Sequence, residues 1–235
     1  VIDRGNGFRF ETCARTGPRK SGVYRSQEEQ MERTNIRRIV VSGALGAVSA
    51  VMAVTPLGYL PWFGGASLTI MHIPVIIAAI LEGPVAGAIV GLVFGVTSMV
   101  KAATAPIGPL DPLFANPLVS VLPRLFIGVV AWGVYRLFRG KLTPLAAGLA
   151  GAAGGITNTV LVLGALGLTA AAQLSGTFGV ATSALPAVLA TIALTNGLIE
   201  AAAAAIFTSA IIAAWKGVEG ARGASRLSDE ERRQP

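Results

Sequence analysis

Four glycines spaced four apart, Gly83, Gly87, Gly91 and Gly95, lie in the apolar run GPVAGAIVGLVFGVTSM. That spacing places them on one face of a helix. The face carries no side chains, so a second helix can approach it backbone to backbone. In water each interior glycine costs a helix about 1 kcal/mol relative to alanine. In a bilayer, where lipid tails are as apolar as leucine, faces of small residues are an ordinary means of helix association. The pattern constrains the chain to a closely packed bundle of membrane helices.

Composition and charge placement agree. Only 13% of residues are charged and 53% are hydrophobic, against about 25% charged in a soluble domain. The net charge of +7 comes without a basic stripe interleaved with aromatics, so membrane topology explains it better than nucleic acid does. Cys13 and His72 are each the sole residue of their type, which excludes an internal disulfide, a cysteine metal cage and a multi-histidine site. No cofactor is expected. The first thirty residues lack the regions of a secretory signal and are polar and aperiodic. Met31 opens MERTNIRR, which reads as a natural start. The expected organisation is a disordered cytoplasmic extension over residues 1–34, a six-helix domain over 35–216, and a disordered charged tail over 217–235.

Apolar runs and breakers predict six spans, near Ile36–Val54, Ser67–Leu81, Val85–Ala102, Leu118–Phe138, Pro144–Ala172 and Leu185–Trp215. The loop ATAPIGPLDPLFANP, with four prolines, excludes a regular helix, and QLSGTFGVATS is read as another loop. Arg33, Arg37 and Arg38 precede the first span; Arg136, Arg139 and Lys141 follow the fourth; Lys216, Arg222 and Arg226 follow the sixth. The positive-inside rule then puts both termini in the cytoplasm. The reading is an all-α polytopic membrane protein, N-in and C-in. The loops after spans one, three and five face outward and carry Tyr59, Trp62, Phe63, Phe114 and Phe178. Aromatics there suit an interfacial belt or loops closing over a site that opens outward.

Polar residues inside spans are costly and face the bundle interior. Arg124 lies two turns into the fourth span, Asn158 in the fifth, Asn196 and Glu200 one turn apart on the sixth, and His72 near the outer end of the second. An unpaired arginine at that depth costs at least about 2.5 kcal/mol, so either Glu200 or a ligand carboxylate should meet Arg124. Asn158, Asn196 and His72 suit either helix–helix hydrogen bonding or a ligand. There is no GxSG near the lone histidine, no HExxH, no intramembrane aspartate pair and no P-loop. What remains is a membrane binding protein that depends on a partner for energy.

The segments TIMHIPVIIAAILEGPVAGAIVGLVFGVTSM, GGITNTVLVLGAL and LTNGLIEAAAAAIF resemble the substrate-binding S components of energy-coupling factor (ECF) vitamin transporters, the pantothenate-specific subgroup above all. The likeness covers about Asn35–Lys216. It implies a six-helix S-component bundle in a bacterial plasma membrane, with the vitamin near the outer face under the loops. It also implies three partners: a transmembrane coupling protein and two cytoplasmic ATPases, with the S component toppling in the membrane to carry its vitamin inward. Family members dock through small residues of the first helix. The matching stretch SGALGAVSAVMA offers Ser42, Gly46 and Ala50 on one face with Gly43 and Ala47 beside it, a variant of the family's AxxxA pattern.

Pantothenate has a carboxylate, an amide and two hydroxyls, so its site needs one cation and several neutral hydrogen-bonding groups. Arg124 is the candidate for the carboxylate, with Lys101 as substitute; Asn158, Asn196, His72, Glu200 and Trp62 complete the candidate set. Alternatives are an S component for pyridoxine, a thiamine pyrimidine, riboflavin or cobalamin, although 6% aromatics stocks a broad ring platform poorly. Readings of another class are an intramembrane enzyme using His72, and a structural subunit without a ligand.

Overall fold

A computed structural model describes residues 19–55, 58–61, 67–106, 110–140 and 143–233. Helix α1 spans Arg19–Val54. Residues 1–37 and 38–235 form separate units, the first described only by the start of α1. The second continues with strands β1 (Tyr59–Pro61) and β2 (Ser67–Thr69), then helices α2 (Ile73–Glu82), α3 (Pro84–Thr104), α4 (Pro117–Ser120), α5 (Leu122–Phe138), α6 (Thr143–Thr169), α7 (Ala171–Phe178) and α8 (Leu185–Arg233). Short 3-10 turns at Asp111–Ala115 and Thr182–Ala184 lead into α4 and α8. The chain is an all-α polytopic membrane protein with one small antiparallel ribbon, in which Leu60 pairs with Leu68. Five stretches are long and apolar enough to cross a membrane: Thr34–Val54, Pro84–Thr104, Pro117–Phe138, Thr143–Thr169 and Thr182–Val218.

The second span differs from the helix expected over Ser67–Leu81. Ser67–Thr69 is a strand, and the helix begins only at Ile73. Pro74 sets that start, since a proline fits the first turn and disfavours a helix before it. In addition, the Thr69 N–H is given to the carboxylate of Glu200, 2.7 Å away, which removes it from any helical hydrogen bond. The ten residues of α2 are about 15 Å long, half a hydrocarbon core. The fifth span also differs, ending at Thr169 with α7 starting at Ala171. The expected loop QLSGTFGVATS is helical up to Phe178, where Gly179 caps it at φ +65°. Helix α8 continues past Trp215 to Arg233.

Helices α2 and α3 are joined by Gly83 alone, at φ +99°, a conformation that glycine adopts without strain. Pro84 follows as the first residue of α3. Of the four glycines placed on one helix face from sequence, Gly83 lies in this turn with open space around it, and Gly87, Gly91 and Gly95 form a face that is consumed inside the protein. A Cβ at Gly87 would lie 2.6 Å from the Ala79 Cβ and 3.0 Å from the Gly128 Cα. One at Gly91 would strike the Arg124 carbonyl, and one at Gly95 would lie 2.7 Å from the Ser120 carbonyl oxygen. A second seam joins α6 and α8, where a Cβ at Gly151 would lie 2.5 Å from the Ala204 carbonyl oxygen and one at Gly155 3.1 Å from the Ala201 Cα.

Two apolar clusters result. One contains Met71, Ile76, Phe94, Ile127, Ala150, Ala204 and Ile212. The other contains Val119, Val162, Leu166, Leu174 and Leu185, with Leu113 and Phe114 packed on it. The order along three elements is the same: Val119, Arg124, Ile127; then Leu166, Asn158, Ala150; then Leu185, Glu200, Ala204. A polar layer therefore separates the clusters.

Gly91→Val should prevent close approach of α3 to α5, costing on the order of 1–3 kcal/mol or preventing folding altogether. Gly43→Val, where nothing lies within 4 Å, should be nearly neutral. Thermal unfolding in detergent, followed by size exclusion, compares the two. Equal stability of both variants would mean that the α3 face is not close-packed.

Candidate functional site

The polar layer is built by local chain chemistry. Pro123 has no N–H, so the carbonyl of Val119, four residues earlier, lacks its helical donor. The Arg124 side chain takes that place, its Nη1 donating to the Val119 oxygen at 2.5 Å. The helix is interrupted there, between Ser120 and Leu122. The guanidinium carbon also lies over the rings of Phe94, at 5.2 Å, and Phe114, at 5.7 Å. Arg124 is 5% exposed.

His72 precedes α2 and is 1% exposed. It reaches the α6–α8 seam because Gly155 has no side chain: a Cβ there would lie 3.4 Å from the His72 Nε2. Neither ring nitrogen of His72 has a hydrogen-bond partner among the described residues, and nor does the Asn158 Oδ1. Polar atoms left so in a buried place are uncommon, because each costs about 1–3 kcal/mol. The Arg124 charge acts on both His72 and Glu200.

Glu200 has a different set of contacts. Its Oε1 accepts from both the N–H and the hydroxyl of Thr69, each at 2.7 Å, and its Oε2 accepts from the Thr159 hydroxyl at 3.4 Å. The hydrogen-bond partners of this carboxylate are thus threonines, one on β2 and one on α6. No local pattern announces the Thr69 contact, which joins residues 131 apart.

His72, Arg124, Asn158 and Glu200 lie in the polar layer. Asn196 is half-buried one turn from Glu200 on α8, and Lys101 is half-buried in the last turn of α3. Trp62 lies outside the described residues. Thr69, Thr159, Phe94 and Phe114 join the site as residues not singled out from sequence as ligand partners. Phe114 was visible in the sequence only as an aromatic of the loop after the third span, and nothing there places Phe94 beside Arg124.

On the lateral surface, Ser42, Gly43, Gly46, Ala47 and Ala50 line one groove of about 620 Å³ between α1 and α3. Nothing lies within 4 Å of a Cβ at Gly43, and at Gly46 only Val93 does, at 3.8 Å. Internal packing therefore does not require small residues at these two positions.

Among the described residues, an apolar helical bundle encloses one small polar layer, an arrangement that suits a membrane-embedded binding protein. Residues 37–212 match the family described as ECF transporter, substrate-specific component. The chain belongs to this family of transporter components, which are not enzymes, and it is a multi-pass membrane protein. It is 35% identical over 159 residues to the pantothenic acid transporter PanT of Lactococcus lactis subsp. cremoris (strain MG1363), a match covering 62% of this chain and 76% of that protein. It is 30% identical over 143 residues to the pantothenate transporter PanT of Leuconostoc mesenteroides subsp. mesenteroides, covering 57% and 69% respectively. Family membership implies a vitamin substrate and an ECF module as partner.

Glu200→Leu should leave the Thr69 N–H without its acceptor, weakening the β1–β2 ribbon by about 1–3 kcal/mol. Thr69→Val, which keeps the backbone donor, should have a smaller effect. Hydrogen exchange at the amides of residues 67–69 reads both. Unchanged exchange in Glu200→Leu would mean that the carboxylate does not hold the strand.

Proposed function

We propose that this chain is the pantothenate-binding S component of an ECF importer, and that it works with a transmembrane coupling protein and two cytoplasmic ATPases. The observation that carries the reading is the polar layer: one buried arginine beside neutral groups with unused hydrogen-bonding atoms, His72 and Asn158. A ligand with one carboxylate, an amide and hydroxyls matches that inventory. The names of the two relatives support the same substrate.

In this reading Arg124 holds the carboxylate, and His72 and Asn158 address the amide and hydroxyls. Asn196 and Lys101 flank the site, and Glu200 fixes the outer ribbon beside it. Trp62, on the same outer loop as the ribbon, completes the set. The α1–α3 groove is the docking face for the coupling protein, and its open, small-residue surface supports that role. Toppling of the S component then carries vitamin inward, driven by the ATPases.

Arg124→Gln should weaken pantothenate binding by roughly 1.5–3 kcal/mol, about tenfold to more than a hundredfold in dissociation constant. The neutral alcohol pantothenol should lose far less. Arg124→Lys should recover only part, since an ammonium lacks the planar fork that meets a carboxylate through two hydrogen bonds. Calorimetric titration of purified protein measures all of these. Equal weakening of both ligands, with a lower melting temperature, would make Arg124 a scaffold residue. Co-purification of a different vitamin from the native host would replace pantothenate as substrate.

Gly46→Leu combined with Ala50→Leu should abolish uptake and co-purification with the coupling protein, yet leave pantothenate binding to the isolated chain nearly intact. Two leucines would hold the partner helix away from α1. A complex that survives the double change would move the docking face elsewhere.

A further inference from the structure

The aromatic rings beside Arg124 come from two different parts of the chain. Phe94 belongs to α3, and Phe114 to the 3-10 turn in the loop between α3 and α4. Both have the guanidinium carbon over them within the distance at which a cation is attracted to a ring face, about 6 Å. Each ring is held in place independently of the arginine. Phe94 is 2% exposed and lies between Gly91 and Gly95, the two glycines that bring α3 against the Arg124 and Ser120 carbonyls. Phe114 packs on the second apolar cluster with Leu110 and Leu113, and its carbonyl accepts a hydrogen bond from the Ser120 hydroxyl. The turn is closed at its far end by Asn116, whose side-chain oxygen caps α4 by accepting from the Leu118 N–H at 3.0 Å.

A guanidinium is a planar fork whose donors point outward in the plane, while its faces are weakly hydrated and stack on rings. Two rings from different elements, each with the guanidinium carbon over its face, restrict where the cation sits and how its fork is turned, and a carboxylate is met in the plane of that fork. One Nη1 donor is already given to the Val119 carbonyl, which fixes the rotation of the fork. We propose that Phe114, with Phe94, is a positioning residue that orients the Arg124 fork, and that the loop between α3 and α4 thereby sets the selectivity of the site for an anionic over a neutral ligand. The proposal rests on the reading of Arg124 as the carboxylate partner. It assigns Phe114 a role in recognition beyond that of an outward-facing aromatic in the interfacial belt.

Phe114 is half-buried, so Phe114→Leu keeps the apolar packing of the turn while removing the ring face. The expected result is a loss of pantothenate affinity of about fivefold to thirtyfold, the scale of a partly desolvated cation–π contact. Pantothenol affinity should change by less than about twofold, and Phe114→Trp should restore the discrimination. In an Arg124→Gln background the Phe114→Leu penalty should vanish, because residues that act through one another are not additive. Titration of the full chain in detergent with both ligands gives all of these numbers. Equal losses for pantothenate and pantothenol, or a penalty that persists undiminished in Arg124→Gln, would make Phe114 a support of the loop and overturn the proposal. Unchanged pantothenate affinity in Phe114→Leu would do the same. If Arg124→Gln alone leaves the ratio of the two affinities unchanged, the carboxylate reading fails and the selectivity role falls with it, a result distinguishable from failure of Phe114 alone.

Discussion

Backbone contact between α3 and α5 is the constraint on which the rest of the structure depends. At Gly91 and Gly95 the facing atoms are the carbonyls of Arg124 and Ser120, and at Gly87 they include the backbone of Gly128. No side chain fits between, so the positions of α4 and α5 relative to α3 are fixed by van der Waals contact of main chains. In lipid, where no hydrophobic effect drives helices together, close packing of this kind carries much of their association. The contact also positions the site: the residue whose carbonyl meets Gly91 is the residue whose side chain lies over Phe94.

The buried arginine is then a consequence of local chemistry as well as a demand on it. A charge at this depth costs several kcal/mol if nothing meets it. Pro123 supplies a carbonyl acceptor by failing to use it, and two rings supply attractive faces. These contacts lower the cost of holding the cation and fix its direction. Glu200 uses its oxygens differently, on the N–H and hydroxyl of Thr69. Its hydrogen bonds tie the β1–β2 ribbon to α8 and so join the segment after α1 to the last helix.

Much of this was legible in the sequence, for identifiable reasons. The third, fourth and sixth spans announce themselves because each is long, apolar and bounded by proline, glycine or charge, and the spacing of Gly87, Gly91 and Gly95 reports a close-packed face directly, whereas Gly83, at the same spacing, serves the turn before α3 instead. The burial of Arg124, Asn158, Glu200 and His72 follows from the expense of polar groups in lipid. What was hidden depends on pairing between distant segments. Ser67–Thr69 reads as the start of an apolar helix, and only the strand opposite and the Glu200 carboxylate make it extended. The break at Ala170 lies in LTAAAQL, a stretch of good helix formers with no proline or glycine to mark it. The choice between Glu200 as partner of Arg124 and as partner of something else could not be made from a helical spacing of four, because the acceptor's neighbour comes from the other side of the site.

Two small-residue faces that look alike in sequence have opposite fates in the fold, and the difference bears on function. Gly87, Gly91 and Gly95 of α3 are filled by neighbouring backbone, so internal packing accounts for them. Gly43 of α1 has nothing near it, and Gly46 has only ordinary contact with one valine. Internal packing does not require glycine at either position, and each costs α1 helix propensity of about 1 kcal/mol relative to alanine. On the proposed function, a cost of that kind, uncompensated inside the protein, is recovered where a second chain approaches as closely as α5 approaches α3. On the proposed reading that chain is the coupling protein. The polar layer and the α1 face are then separate parts of one bundle: one is closed off by backbone contact to hold a small anion, and the other is left open for an equally close contact with a partner.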